Sequence, residues 1–319
     1  MAPTLRIGSR PSRLALAQAE RVRDRLKTSA PSMAIEIVAI RTSGDKMTGA
    51  SLAQVGGKGL FIKELEQALV ERAIDMAVHS MKDLPATLAP GFRIAAVPER
   101  ADARDALISR ANGGIASLAS RARVGTSSAR RRFEALRVRA DLDIVALRGN
   151  VDTRLRRLET GDFDAIIVAL AALERLGRAG SDEVALVPLD ERDFVPAGSQ
   201  GALGVEALAD RLIAGSAELD AAVRALDDPR AHREIAAERA FLAALGASCV
   251  SPVGVRATLG ASGFCVRALL FSIDGSHHMA DELAETAAQD APLAQAQRTG
   301  TRLAERMLAG GACELIANG

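Results

Sequence analysis

The run Val-Gly-Thr-Ser-Ser-Ala-Arg-Arg-Arg at 124–132, followed by Leu-Arg-Gly-Asn-Val-Asp-Thr-Arg at 147–154, decides the fold of this chain. In each run a short apolar segment enters a turn of small and hydroxyl-bearing residues, and the turn opens a helical pattern. Strands that alternate with helices in this way predict an α/β sheet. The turns also bring free backbone N–H groups, hydroxyls and guanidinium groups together, which suits the binding of carboxylates or phosphates.

The same alternation continues on both sides of this stretch and predicts two α/β domains. In the first, strand patterns lie at 4–8, 34–41 and 74–78, and helical patterns lie at 11–27 and 58–73. In the second, strand patterns lie at 105–109, 122–126, 143–147 and 164–168, and helical patterns lie at 128–137, 151–160 and 170–177. The segment 194–204 is rich in Pro and Gly and is predicted to be a crossing.

The chain becomes acidic from 218 onward, and its pattern changes there to that of a smaller α+β unit. A helix is predicted at 229–245, strands at 253–259 and 264–273, and a closing helix at 292–309.

Composition is that of an ordinary globular protein, with 319 residues, 48% of them apolar and 25% charged. No apolar run reaches the roughly 18 residues of a membrane span, so no membrane partner is expected. The first residues lack the pattern of a signal peptide, and three cysteines are too few for a disulfide framework. A cytoplasmic location is therefore expected. Four scattered histidines give no pattern of metal ligands.

Basic residues are concentrated in two segments of the first half, 1–60 and 121–160, whereas acidic residues exceed basic ones in 181–319. Nucleic acid is one ligand that such basic segments could bind. However, the chain has eight Phe, no Trp and no Tyr, which leaves few side chains to stack on bases. The arginine clusters lie in discrete turns, which favours a compact anion over nucleic acid.

Two turns in the first domain carry candidate site residues. Ser9-Arg10-Pro11-Ser12-Arg13 ends a strand and opens a helix, so it either binds an anion or simply caps the helix. Val78-His79-Ser80-Met81-Lys82-Asp83-Leu84-Pro85 ends a buried strand, where open α/β sheets bind ligands. Asp83 could stabilise a developing positive charge or handle a proton there, or it could cap a helix before Pro85. His79 is expected to be a packed core histidine rather than a base.

The second domain carries the arginines. Arg130, Arg131 and Arg132 fall in the first turn of a helix, where the helix dipole disfavours cations, so we expect an anion to compensate them. Arg148 and Arg154 repeat the arrangement one strand–helix unit later. In the third unit, Cys249 lies in a loop of small residues, 245–254, and its thiol is a candidate nucleophile or attachment point, although the sequence shows no base to activate it.

Taken in order, these residues resemble the porphobilinogen deaminase (hydroxymethylbilane synthase) family over essentially the whole chain. The motifs that carry the resemblance are Arg-x-Ser-x-Leu-Ala-Leu at 10–16, Val-Gly-Gly-Lys-Gly-Leu-Phe at 55–61, Ala-Val-His-Ser-Met-Lys-Asp at 77–83, Gly-Thr-Ser-Ser at 125–128, Leu-Arg-Gly-Asn-Val at 147–151, Gln-Gly at 200–201 and the loop of Cys249. Two positions differ from the family pattern: Gln54 stands where many members have lysine, and Ala247-Ser248 replaces Gly-Gly before the cysteine.

The resemblance implies three domains, of which the first two resemble periplasmic binding proteins. On this chain they would comprise 1–99 with 200–216, then 104–194, and a smaller α+β domain at 218–319 that carries the cysteine. It also implies a monomer with a dipyrromethane cofactor joined to Cys249 by a thioether. The implied reaction condenses four porphobilinogen molecules head to tail with loss of ammonia, and water then releases hydroxymethylbilane in tetrapyrrole (porphyrin and heme) biosynthesis.

The resemblance also implies residue roles. Asp83 would contact pyrrole N–H groups and stabilise the cation formed as ammonia leaves. Carboxylates of the cofactor would be bound by Lys82, Thr126, Ser128, Arg130, Arg131 and Arg148, and those of the substrate by Arg10, Ser12, Arg148, Arg154 and Arg175. The alternative is a non-catalytic module of periplasmic-binding-protein type that binds a small anion, which would leave Asp83 and Cys249 without a role.

Overall fold

The computed structural model describes residues 4–46, 61–111, 113–178, 184–247 and 251–317. Within these ranges the strands are β1 (Leu5–Ser9), β2 (Ile35–Ala39), β3 (Met76–Ser80), β4 (Phe92–Ala96), β5 (Asp105–Ser109), β6 (Arg123–Gly125), β7 (Asp143–Val145), β8 (Ala165–Ala169), β9 (Ala185–Pro188), β10 (Leu203–Leu208), β11 (Val253–Gly260), β12 (Gly263–Phe271) and β13 (His278–Glu285). The helices are α1 (Arg13–Ser29), α2 (Ser43–Lys46), α3 (Lys63–Val70), α4 (Ala129–Val138), α5 (Val151–Glu159), α6 (Leu170–Arg175), α7 (Ala217–Arg224), α8 (Pro229–Leu245), α9 (Leu293–Ala309) and α10 (Ala312–Ala317).

The first two sheets have the same arrangement, which confirms the prediction of two similar α/β units. The first has the order β2-β1-β3-β10-β4 and the second the order β7-β6-β8-β5-β9. In each, the first three strands are parallel and the fourth is antiparallel to both of its neighbours. In both sheets the antiparallel strand is the one that follows a crossing from the other unit: β10 follows the crossing into the first unit, and β5 follows the crossing into the second. The two units are therefore joined by two adjacent segments of chain.

Helix α1 shows how the sequence pattern produces this packing. The Ser12 side chain accepts a hydrogen bond from the backbone N–H of Ala15 and so caps the helix. Its apolar face, which includes Val22 and Leu26, is buried in a core that also contains residues of β1 and β3. The hydrophobic effect therefore fixes the helix on the sheet and directs the turn before it, Ser9 to Ser12, to the carboxyl edge of the strands.

The third unit is a three-stranded antiparallel sheet, in the order β11-β12-β13, that packs against α8 and α9. Gly300 lets the two helices approach closely, because a Cβ atom there would collide with the backbone of Ala237. The sheet, α8 and α9 share one core that includes Phe241 and Phe264. This arrangement confirms the prediction of a smaller α+β unit.

Two features differ from the sequence expectations. All of helix α7 except its first residue falls within 218–319, the range expected for the third unit, but the helix packs against β4 and α1 of the first unit. Strand β10 begins inside the segment predicted only as a crossing, and it pairs with β3 and β4. Both elements are defined by contacts with distant residues, which local sequence patterns do not carry.

Among the described residues, no helix combines the length and apolarity needed to cross a membrane. Within the same ranges, no three His, Cys, Asp or Glu side chains come close enough to hold a metal ion.

Candidate active site

A cavity lies where the first two units face each other, and it gathers several of the predicted site residues. Its lining includes the turn before α1, the end of β3, helix α6 and the returning segment at 200–201. The side chains with binding chemistry in this lining are Arg10, Ser12, Gln18, His79, Ser80, Lys82, Asp83, Arg175 and Gln200. The carboxyl edge of the parallel strands is the expected place for a ligand in an open α/β sheet.

Lys82 is a cation without a carboxylate hydrogen-bonded to it among the described residues. Its Nζ donates a hydrogen bond to Gln200 Oε1 at 3.1 Å. Burial, together with the nearby charge of Arg131, lowers the pKa of Lys82 to about 8. An anion that entered the cavity would relieve both effects, because it would pair with the ammonium group.

Asp83 ends the short 3-10 turn Met81–Asp83 that follows β3. Its residue is exposed, and its carboxylate accepts no hydrogen bond from the rest of the described chain. It therefore does not act as the helix cap that the sequence left open. The carboxylate is available to a ligand at the cavity and lies near the charge of Lys82.

Arg10 and Ser12 line the cavity but already have partners. The Arg10 guanidinium donates two hydrogen bonds to Asp45 Oδ1, the shorter at 2.5 Å, and it lies 4.1 Å from the centre of the Phe61 ring. Ser12 caps α1, as one of the two sequence interpretations proposed. The structure thus shows the capping role and leaves anion binding by this turn as a prediction.

Arg130 and Arg131 are buried, and the anion that compensates them is part of the protein. Arg130 donates hydrogen bonds of 2.7 Å to Asp105 and to Glu134, and Arg131 donates two to Asp105 Oδ1 at 2.7 and 3.0 Å. Burial by itself would raise the pKa of Asp105, but the two guanidinium groups outweigh it and hold that pKa well below its usual range. Burial raises the pKa of Glu134 to about 8 despite the charge of Arg130.

The expectation that an external anion balances this cluster therefore needs correction. Asp105 is the first residue of β5, and it reaches the first turn of α4 only because the strand lies beside β8 in the folded sheet. Thr126 and Ser128 shape the same turn. Ser128 caps α4 by accepting a hydrogen bond from the N–H of Arg131, and Thr126 Oγ1 accepts one from the N–H of Ser128.

Arg154 and Arg175 resemble Lys82 because burial lowers the pKa of each. Each is half-buried, and each has a pKa lowered to about 10, chiefly by burial. Their hydrogen bonds go to backbone carbonyls: Arg154 to Gly149 O at 2.9 Å and Arg175 to Gly201 O at 2.5 Å. No carboxylate is hydrogen-bonded to either within the described ranges. Arg148 lies exposed in the turn before α5.

The comparisons with known proteins agree with this arrangement. A family model described as porphobilinogen deaminase, dipyromethane cofactor binding domain, matches residues 5–214, and the porphobilinogen deaminase C-terminal domain matches 232–309. The chain belongs to the porphobilinogen deaminase family. A porphobilinogen deaminase from Syntrophotalea carbinolica is 44% identical over 98% of this chain and 95% of that protein. One from Chromobacterium violaceum is 43% identical over 98% of this chain and 96% of that protein.

Solved structures give a weaker likeness. The chain is similar to a periplasmic binding protein from Salmonella typhimurium with high arginine specificity, at 13% identity and a TM-score of 0.36, over 70% of this chain and 92% of that one. At this level the likeness carries no functional information. The residue ranges matched by the two family models follow the units of the structure. The cofactor-binding model spans both α/β units, including β10, and the C-terminal model begins within α8 of the third unit.

Gln200 is the site residue whose role sequence reasoning missed. The porphobilinogen deaminase motif Gln-Gly at 200–201 was recognised without a function for its side chain. In the structure Gln200 Oε1 accepts hydrogen bonds from Lys82 and Arg131. Gln200 Nε2 donates hydrogen bonds to Ala103 O and to Asp105 Oδ1, and both of these are 2.8 Å long. Gly201, with a φ of +86°, lies against the backbone of Ala101, where a side chain would not fit.

Cys249, the residue expected to carry the cofactor, lies outside the described residues, as does Gln54. The neighbouring elements are described: α8 ends at Leu245 with Gly246 in a left-handed conformation, and β11 begins at Val253. The remaining cysteines, Cys265 and Cys313, are free thiols, half-buried and exposed respectively.

Proposed function

We propose that this protein is a porphobilinogen deaminase, a transferase that condenses four porphobilinogen molecules head to tail with loss of ammonia and releases hydroxymethylbilane by hydrolysis. The observation that carries the proposal is the set of three desolvated cations, Lys82, Arg154 and Arg175, that have no hydrogen-bonded carboxylate in the described part of the chain. Unpaired cations in a low-dielectric site favour an anionic ligand strongly. Each porphobilinogen brings two carboxylates, so the growing chain is a polyanion.

The donor set also suits a dipyrromethane cofactor, which is built from two substrate units and so has four carboxylates. We propose that it is joined to Cys249 by a thioether. The groups proposed to hold its carboxylates are Lys82, Thr126, Ser128, Arg130, Arg131 and Arg148. Arg130 and Arg131 already bind Asp105, so a cofactor carboxylate would have to share their N–H groups with that residue. The bound cofactor supplies the pyrrole carbon to which the first substrate is joined.

Substrate carboxylates are proposed to bind Arg10, Ser12, Arg148, Arg154 and Arg175. A charge-assisted hydrogen bond is worth roughly 1.5–3 kcal/mol, so several of them can hold a growing chain in place. Arg175 is well suited to this role, because it lines the cavity and, within the described ranges, only a backbone carbonyl is hydrogen-bonded to its side chain.

Asp83 is proposed to act electrostatically. When ammonia leaves porphobilinogen, the remaining methylene carbon becomes part of a cation delocalised over the pyrrole ring. A fixed carboxylate beside that cation stabilises the transition state more than the ground state, and this difference accelerates the step. The exposed carboxylate of Asp83 at the cavity, which accepts no hydrogen bond from the described residues, is consistent with this role. We further propose a cytoplasmic monomer without nucleic-acid or membrane partners.

The experiment is incubation of the purified protein with porphobilinogen, followed by measurement of ammonia and hydroxymethylbilane. We expect four ammonia molecules for each tetrapyrrole. The Asp83→Asn variant should fold and retain cofactor but turn over far more slowly. Asp152→Asn is the matched control, because Asp152 is half-buried at the start of α5 and pairs with Arg13 and Arg178 outside the cavity lining. Near-normal turnover by Asp83→Asn would rule out its electrostatic role. Carboxylate binding without any ammonia release by the wild type would favour the non-catalytic anion-binding alternative.

A further inference from the structure

His79 and Glu206 form a buried pair directly beneath the candidate active site. His79 is on β3 opposite Gly204 of β10, so Glu206, two residues further along β10, projects to the same face of the sheet. His79 Nε2 lies 2.8 Å from Glu206 Oε2. The Glu206 side chain is completely buried, and that of His79 is 4% exposed. The two atoms are within hydrogen-bond distance, although their angle is not that of a formed bond.

Charged groups from three other elements surround this pair. Glu66 on α3 has a raised pKa, because it is partly buried and close to the negative charge of Glu206. Arg239 on α8 has a pKa lowered to about 10 by burial, an effect that the charge of Glu206 opposes. Arg239 has no hydrogen bond or ion pair among the described residues. Lys82 and Asp83 lie in the turn that directly follows β3.

Glu206 therefore has two cationic groups to stabilise its charge, the His79 imidazole when protonated and Arg239. Burying a lone carboxylate is costly unless such groups are present. Because Glu206 Oε2 lies 2.8 Å from Nε2, the tautomer with its proton on Nε2 needs only a rotation of the ring to donate a hydrogen bond to that carboxylate. This leaves Nδ1, with a free electron pair, as the ring nitrogen available to the cavity that His79 lines. A histidine oriented by a buried carboxylate is a recurrent form of general base.

We propose that His79, oriented by Glu206, accepts the proton that the pyrrole α-carbon loses when each new carbon–carbon bond forms. This inference rests on the proposed function. The C–N bond of the incoming porphobilinogen breaks, its electron pair leaves with ammonia, and the terminal pyrrole α-carbon bonds to the methylene carbon. The α-proton passes to Nδ1, which restores the aromatic ring. The imidazolium then gives this proton to ammonia, which departs as ammonium, so the protein is unchanged after each cycle.

The roles of the neighbouring residues are then separate. Asp83 stabilises the cation formed on the substrate, whereas His79 removes the proton afterwards. Glu206 is a positioning residue, since it fixes the ring and stabilises the imidazolium without contacting the substrate. A core histidine that only fills space would need neither a buried carboxylate nor a place in the cavity lining.

The test compares His79→Gln with His232→Gln, because His232 also lies 2.8 Å from a carboxylate, that of Asp227, but is outside this cavity. The wild type must first release ammonia and hydroxymethylbilane; if it does not, the proposed function itself fails. Intact mass then shows whether each variant has its cofactor. We expect His79→Gln to lower kcat about 10²–10⁴-fold with little change in KM, and His232→Gln to match the wild type.

Three readouts distinguish a base from a structural residue. Porphobilinogen with deuterium at the α-carbon should react more slowly than normal substrate in His79→Gln, and imidazole should partly restore turnover in His79→Gly. For Glu206→Gln, which retains the shape and removes the charge, we expect the acidic limb of the kcat profile to move to lower pH, because the imidazole is harder to protonate. If the wild type is active but none of these effects occurs in the folded variants, the proposal is wrong. The Glu206→Gln profile decides the matter if the His79 variants do not fold.

Discussion

Gln200 Nε2 donates a hydrogen bond to Asp105 Oδ1 at 2.8 Å, and this bond joins the two crossings between the α/β units. Asp105 begins the strand that enters the second sheet, and Gln200 precedes the strand that returns to the first. Arg131 and Lys82 bond to the same amide through its oxygen. One side chain of the returning segment therefore holds a cation from each of the two units, Lys82 from the first and Arg131 from the second.

Asp105→Asn should be strongly destabilising, because it leaves the buried guanidinium groups of Arg130 and Arg131 without their shared carboxylate. We expect the free energy of unfolding to fall by roughly 3–5 kcal/mol, measured by denaturant titration. Asp143→Asn is the control, since Asp143 is exposed and its carboxylate lies 3.8 Å from the Arg123 guanidinium in a surface ion pair. This substitution should change the free energy of unfolding by no more than about 0.5 kcal/mol. A loss below about 1 kcal/mol for Asp105→Asn would contradict the role given to this carboxylate.

Lys82 should make substrate binding depend on pH. Its pKa of about 8 means that the ammonium group, which binds carboxylates, loses its proton above that pH. We therefore expect kcat/KM to fall as pH rises through 8, and Lys82→Arg to move this alkaline limb to higher pH because guanidinium remains charged. The measurement is kcat/KM from pH 6 to 10. An alkaline limb unchanged in a folded, cofactor-loaded Lys82→Arg protein would exclude Lys82 as its source.

Arg175→Gln should weaken substrate binding without unfolding the protein. Loss of one charge-assisted contact, roughly 1.5–3 kcal/mol, corresponds to an increase in KM of about ten- to a hundredfold. Arg178→Gln is the matched control, because Arg178 is nearby in sequence but makes an exposed ion pair with Asp152, and it should alter KM less than about twofold. Equal effects of the two substitutions would mean that Arg175 contributes only general positive charge.

The sequence was most informative where local signals alone determine an element. Helix α8 has the predicted bounds, 229–245, because Asp228 caps it, Pro229 occupies its first turn and Gly246 ends it in a left-handed conformation. Strand β5 likewise has the predicted bounds, 105–109. Strand β10 was not predicted, because its first residues belong to the Pro- and Gly-rich segment 194–204 and only its pairing with β3 and β4 makes it a strand.

The same distinction applies to the site. The sequence identified Lys82 and Asp83 from their position at the end of a buried strand, and both line the cavity. It also showed that arginines in the first turn of α4 require an anion, but not that Asp105 supplies it. Gln200 and Glu206 were missed, since their partners are distant in the chain, from 69 positions for Arg131 to 118 for Lys82 in the case of Gln200, and are brought close only by the folded sheets.

The central claim is that an oligopyrrole is attached to this protein at Cys249. Intact mass spectrometry of the denatured wild type, Cys249→Ser and Cys265→Ser tests it most directly. We predict that the wild type and Cys265→Ser both carry an added mass equal to a dipyrromethane. When porphobilinogen is supplied, this added mass should increase in steps of one pyrrole unit. Cys249→Ser should have the mass of the bare polypeptide. An unmodified wild type after exposure to porphobilinogen, or the same adduct on Cys249→Ser, would contradict this account.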